Sequence, residues 1–180
     1  MTRAKTPLKE KNIDQDQLEL QVSLWKSNGL SICFTNGCFD LIHLGHITYL
    51  DEAAKHADIL VVGVNSDRSV KALSKSPERP INDERSRAKV LAALESVDRV
   101  VIFDEETPKE LIEKLTPNVL LKGGDYDPKE TNHEHPKYIV GREHVIKNGG
   151  VVKTIGLVEG FSTTNICLLY TSDAADDRVS

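Results

Sequence analysis

The sequence predicts an α/β protein built on an open, parallel, five-stranded sheet with helices on both faces. Three observations carry this. Short apolar runs without polar alternation recur along the chain, as strands covered on both faces do. Stretches with apolar residues every three or four positions separate them. The 180 residues, 39% hydrophobic and 28% charged, suffice for one domain with a substantial core. No internal repeat and no second domain stands out.

Residues 1–13 are polar and read as a loose arm. Leu18, Val22 and Trp25 lie at helical spacing within 14–27, and Asn28-Gly29 is a stop signal. "LSICFT" is a buried strand, apolar and partly β-branched. Leu44, Ile47, Leu50 and Ala54 then mark a helix by their spacing. "ADILVVGVNS" is the second strand. Residues 71–82 read as a loop, broken by Pro77 and Pro80. Asp83 can cap a helix over about 84–96 that turns Val90, Leu91, Leu94 and Val97 to one face. "DRVVIF" is the third strand, and Thr107-Pro108 opens a short helix. "NVLLKGG" is the fourth strand and 123–136 a polar loop. A weaker helix over about 137–148 stops at Asn148-Gly149-Gly150, "VVKTIGL" is the fifth strand, and "EGFSTTNI" enters a helix at Ser162. This alternation gives right-handed βαβ units and a Rossmann-like sheet.

The net charge of -5 argues against a nucleic-acid binder, which would show a basic face. No apolar run approaches the roughly 20 residues of a membrane helix, so no membrane partner is expected. "MTRAKTPLKEK" is basic but no apolar core follows it, so a secretory signal is not expected. Cys33, Cys38 and Cys167 lack metal-site spacing, and the first two lie too near each other on an extended stretch for a structural disulfide. A reduced, cytoplasmic setting follows.

In such sheets ligands sit beyond the carboxyl ends of the strands. The unusual residues cluster there: 36–46, 65–67, 122–125 and 159–164. Asn36-Gly37 lets the backbone turn sharply and approach a ligand closely. His43 and His46 fall at the first turn of the next helix, where free N–H groups and partial positive charge attract phosphate. Spaced by three, they share a face and can donate to the same phosphate. Gly45 leaves room for a nucleotide. Lys122-Gly123-Gly124-Asp125 combines a point charge with close backbone approach. Asp125 is open between accepting sugar or ribose hydroxyls and holding Mg²⁺ through water. Ser162, Thr163 and Thr164 can cap a helix and bind triphosphate with the same hydroxyls. Lys71, Lys75, Arg79 and Arg85 are candidate phosphate contacts. Arg85 sits near a helix start, where a basic side chain is locally unfavourable. "NHEHPK" (132–137) lacks zinc spacing and reads as a solvated loop. Phe34 and Phe39 suit the core better than the wall of a base site, although Phe39 is kept among the nucleotide candidates.

H-x-G-H after a strand, with "TNGCFD", resembles the signature of the nucleotidyltransferase superfamily. With "VGVNSDRSVKALS", "LLKGGDY" and "EGFSTTNI", the chain is similar to its heptose 1-phosphate adenylyltransferase branch over roughly residues 30–166, least so at 127–140. The resemblance implies that a sugar 1-phosphate attacks ATP, with Mg²⁺, and that no separate base or protein nucleophile is needed. It implies that Asp40 positions nucleotide and loop, that Asn65 and Asp67 lie at the end of the sheet that meets the substrate, and that a homodimer is an available assembly; Lys71 and Arg79, as phosphate contacts, are expected on the substrate side as well. On the residues alone, Asn65 and Asp67 are equally an Asx turn or helix cap. No sugar-kinase stretch is present, so a free-standing form is expected. Two alternatives stay open: a cytidylyltransferase acting on glycerol 3-phosphate or a similar phosphorylated alcohol, and a nucleotide-binding scaffold without catalysis. The expected organisation is an arm and helix at 1–29, the transferase domain at 30–166, and a non-native, disordered tail at 167–180. There "CLLYTSDAADD" resembles a translated library adapter.

Overall fold

A computed structural model describes residues 6–73 and 79–156 of the chain. The described residues form one parallel sheet of six strands in the order β1-β4-β3-β2-β5-β6. Its strands are β1 Asn12–Ile13, β2 Ile32–Gly37, β3 Ile59–Asn65, β4 Arg99–Phe103, β5 Val119–Gly123 and β6 Val151–Ile155. All five pairings are parallel. The helices are α1 Leu8–Lys11, α2 Gln15–Ser27, α3 Leu44–Ala54, α4 Asp67–Leu73, α5 Glu84–Ala92, α6 Lys109–Leu115 and α7 Arg142–Lys147.

The sixth strand corrects the expectation of five, and of a loose arm over 1–13. Asn12 and Ile13 pair with Val100 and Val101, and Lys11 Nζ donates to the Leu94 carbonyl at 2.9 Å. Two residues carry too little periodicity to announce a strand; the open edge of β4 recruits them. α2 forms as expected. Asp14 accepts from Gln17 N while the Gln17 side chain accepts from Asp14 N, closing a capping box, and Leu18, Val22 and Trp25 are buried. Gly29 then takes φ +71°, which ends the helix.

Two apolar layers clamp the sheet. On one face Tyr49, Leu50 and Ala53 of α3 and Ala88, Leu91 and Ala92 of α5 pack against Leu60, Val62 and Val64. On the other, α2, α6 and α7 supply Leu18, Trp25, Leu111, Ile112, Leu115 and Val145 against Phe34, Val61 and Leu120. Each fully buried Val, Leu, Ile or Phe among them contributes about 1.5–3 kcal/mol. Phe34 is a core residue: its ring packs where a side chain on Gly63 would stand, 2.9 Å from the Cβ position.

Several helix faces differ from expectation. In α3, Leu44 and Ile47 are exposed and Tyr49, Leu50 and Ala53 carry the burial. The inward positions of its first turn serve the cavity described below, which rotates the apolar stripe. α5 ends at Ala92, short of 96, and Val90 faces solvent because Arg87, Ala88 and Leu91 take the inner face. α4 occupies residues whose end was expected to be loop, with Ser69 and Val70 buried. α7 is confined to Arg142–Lys147, since Gly141 at φ +85° sets its start.

Candidate active site

The chain runs from β2 outward to β3 and β4, then crosses back to place β5 on the other side of β2. This makes the β2–β5 junction a topological switch point, where an open α/β sheet binds its ligands. β2 and β3 stay paired up to Gly37↔Val64, whereas β2 and β5 pair only at Cys33↔Val119 and Phe34↔Leu120. Beyond that register the two strands are not paired, and a cavity of about 820 Å³ opens at the carboxyl ends of the strands. Its size lies within the range of small-molecule sites.

His43 and His46 line this cavity with Gly45 between them. His43 is the N-cap of α3 in an extended conformation, and its side chain makes no capping bond. The two imidazoles stack, with centroids 3.8 Å apart and planes at 24°, and Phe39 meets His46 edge-on at 5.3 Å. Phe39 is held at φ 47°, an unfavourable region for a bulky residue, and Gly37 accommodates its ring: a Cβ there would stand 3.1 Å from it. Burial pushes the His46 pKa down to about 4, His43 pushes it the same way, and the Leu41 backbone opposes both. Burial also lowers that of His43. Both rings are therefore neutral near pH 7, each with one N–H to donate.

Asn36 and Lys122 face each other two register positions beyond the last β2–β5 pair, Phe34↔Leu120. Lys122 Nζ donates to Asn36 Oδ1 at 2.7 Å, reaches its carbonyl at 3.5 Å, and lies 5.2 Å from the Tyr126 ring centroid. The lysine is buried, and that burial lowers its pKa to about 8 against the pull of Asp125 and Cys38. Asp125, Gly123 and Asn65 also line the cavity; Asn65 Nδ2 donates to Ser69 Oγ at 3.0 Å.

Other candidates stand elsewhere. Asp40 is buried and takes the backbone N–H groups of Ile81 and Asn82 at 2.9 and 3.0 Å, so it pins the segment before α5. Asp67 pairs with Arg87 at 2.7 Å. Lys71 and Arg85 are exposed, and neither they nor Arg79 line the cavity. Gly124 lies outside the cavity wall too; a Cβ on it would meet Gly156 Cα at 3.1 Å, so its small size serves chain packing. Lys75, Ser162, Thr163 and Thr164, and the tail 167–180, lie outside the described residues.

Sequence reasoning passed over three features. Arg87 is fully buried and donates to the carbonyls of Cys38, Asn65 and Asn82 as well as to Asp67, tying together the loops after β2 and β3. Its place one turn before Leu91 on an otherwise apolar face was the available signal. Tyr49, whose hydroxyl shares a 2.7 Å hydrogen bond with Thr35, lines the cavity one turn after His46. The stretch read as a solvated loop brings His133, Glu134 and His135 to the cavity wall, with His133 stacked on Tyr138 and 2.9 Å from Glu143.

A cytidylyltransferase-like family profile matches residues 34–167. The chain is 52% identical over 151 residues to the bifunctional protein HldE of Nitrobacter hamburgensis, covering 84% of this chain and 29% of that protein. It is 51% identical over 158 residues to HldE of Geotalea uraniireducens, covering 88% and 30%. It thus spans under a third of the length of these curated relatives. The solved lipopolysaccharide core biosynthesis protein of Thermoplasma volcanium is similar, with a TM-score of 0.55 and 32% identity over 72% of this chain and 98% of that one.

Proposed function

The chain belongs to the cytidylyltransferase-like family, and from that premise we propose that it transfers AMP from ATP to heptose 1-phosphate, giving ADP-heptose and pyrophosphate. The observation that carries the reading is the stacked His43–His46 pair at the start of α3, inside the cavity at the switch point. The identity with HldE over most of the chain favours heptose 1-phosphate as acceptor.

The chemistry asks little covalent work of the protein. An oxygen of the acceptor phosphate forms a bond to the α-phosphorus of ATP while the bond from that phosphorus to the bridging oxygen of the β-phosphate breaks, and pyrophosphate leaves in line. The nucleophile is already ionised, so no base is needed. What remains is positioning and stabilisation of charge on the phosphoryl oxygens. Neutral His43 and His46 donate N–H groups at the positive end of α3. Lys122 supplies a full charge across the crevice, and Asp125 accepts sugar or ribose hydroxyls. Gly45 leaves space beside the imidazoles. Asp40 and Arg87 act indirectly, by fixing the loops that carry these groups.

A bound Mg²⁺ would supply positive charge to the triphosphate oxygens. Among the described residues no group of three or more His, Cys, Asp or Glu side chains is placed to hold a metal ion; Asp125, on the cavity wall, is the carboxylate that would hold Mg²⁺ through water. A cytoplasmic setting and a homodimer belong to the same reading.

The test is a pyrophosphate-release screen crossing four nucleoside triphosphates with heptose and hexose 1-phosphates and glycerol 3-phosphate. ATP with heptose 1-phosphate is expected to dominate. Preference for CTP with glycerol 3-phosphate, or no release with any pair, overturns the reading.

A further inference from the structure

Asn36 and Lys122 are 86 positions apart in sequence, yet they occupy matching positions on β2 and β5, two residues beyond Phe34↔Leu120. At that level a side-chain bond spans the crevice in place of a backbone pairing. A buried ammonium has three N–H donors to satisfy. Among the described residues Lys122 finds hydrogen-bond acceptors only on Asn36, one at 2.7 Å and one at a long 3.5 Å. The Tyr126 ring covers one side of it. The remaining donor capacity belongs to a buried cation on the wall of a cavity, an arrangement that suits an incoming anion.

We propose that Asn36 is a positioning residue for the transfer reaction: its side-chain carbonyl holds the Lys122 ammonium across the β2–β5 crevice so that the free donors meet a substrate phosphate. Asn36 suits this task because its amide oxygen accepts without carrying charge. A carboxylate there would repel the phosphate, and an apolar side chain would leave the ammonium without its short hydrogen bond. The titratable groups around Lys122 are Asp125 and Tyr126 on the segment after β5 and Cys38 after β2, while α3 brings His43, His46 and Tyr49 to the same cavity. The proposal rests on the reading that phosphates occupy this crevice.

The experiment follows the Lys122 side chain directly. Protein carrying ¹³C-labelled lysine is titrated by NMR, with Lys122→Arg identifying the resonance. Free wild type is expected to titrate near pH 8, and ATP or heptose 1-phosphate should raise that midpoint, since the bound phosphate favours the ammonium. Asn36→Leu should lower the midpoint by about one pH unit or more and cut kcat/KM by about tenfold or more, from loss of a hydrogen bond to a charged group. Asn36→Asp should raise the midpoint yet slow the reaction, a split that simple loss of structure does not give. Thermal melts identify any variant that fails to fold, and Asn36→Ser then stands in for Asn36→Leu. An unmoved midpoint in the folded Asn36 variants overturns the proposal, as does a Lys122 resonance indifferent to both ligands. If the pyrophosphate screen fails, the shift between wild type and Asn36→Leu in the free protein still reports on the pair.

Discussion

His46 does two separable things. In the proposed reaction it would donate to the transferring phosphoryl group, and removing one such donor typically costs about 10²–10³ in turnover. His46→Ala is expected to show that loss in pyrophosphate release while its circular dichroism stays native, because the side chain borders a cavity and is not part of the core. As a partly buried imidazole stacked on a second one, it also resists protonation. Its folded pKa, about 4, lies below the ordinary value of 6.5. Between those values the unfolded chain binds the proton and the folded one does not, so stability falls as pH falls from 6.5 toward 4. Urea melts across that range should show a shallower decline for His46→Asn, whose side chain does not titrate. Parallel declines in the two proteins would mean that other groups carry the acid sensitivity.

At the scale of elements, Arg87 links segments that periodicity treats as separate. One guanidinium on α5 meets the carbonyls after β2 and at the end of β3, the carboxylate at the start of α4 and the carbonyl just ahead of its own helix. Cys38 and Asn65, two of these partners, belong to residues lining the cavity. Asp67 is 32% exposed, so the cost lies mainly in the lost hydrogen bonds, about 1.5–3 kcal/mol for one made by a charged group. Arg87→Met keeps the apolar stem and loses every polar contact, so the melting temperature is expected to drop by roughly 10 °C. Activity should fall further than His-donor loss explains at temperatures where the fold survives. Arg85, two positions away and exposed, is the internal control: Arg85→Met should leave the melt near wild type, as surface changes usually do.

For the whole molecule, the site is a property of strand order. Sending β3 and β4 to one side of β2 and β5 and β6 to the other leaves an opening between β2 and β5 that no single element encodes. A ligand that occupies it only in the folded state must stabilise the fold by mass action, by about 2.7 kcal/mol at a hundredfold excess over Kd. ATP with Mg²⁺ should therefore raise the melting temperature by roughly 5–10 °C, and Lys122→Ala should shrink that rise; an unchanged rise would remove Lys122 from the nucleotide's surroundings. Much of this was legible in sequence. The five longer strands, α2, the placing of His43, Gly45, His46 and Asp125 beyond strand ends and that of Lys122 at the carboxyl end of β5 all follow from local periodicity, capping and punctuation, because those signals act over a few residues. The two-residue strand β1, the inner face of α5, the packing role of Gly124 and the cavity wall at 133–135 were not legible, for each depends on what a distant segment leaves open or occupied. The Asn36–Lys122 bond and the four-way contact of Arg87 belong to the same class. A side chain's hydrogen-bond partners are set by strand register and crossover, and those are decided only when the two apolar layers close over the sheet.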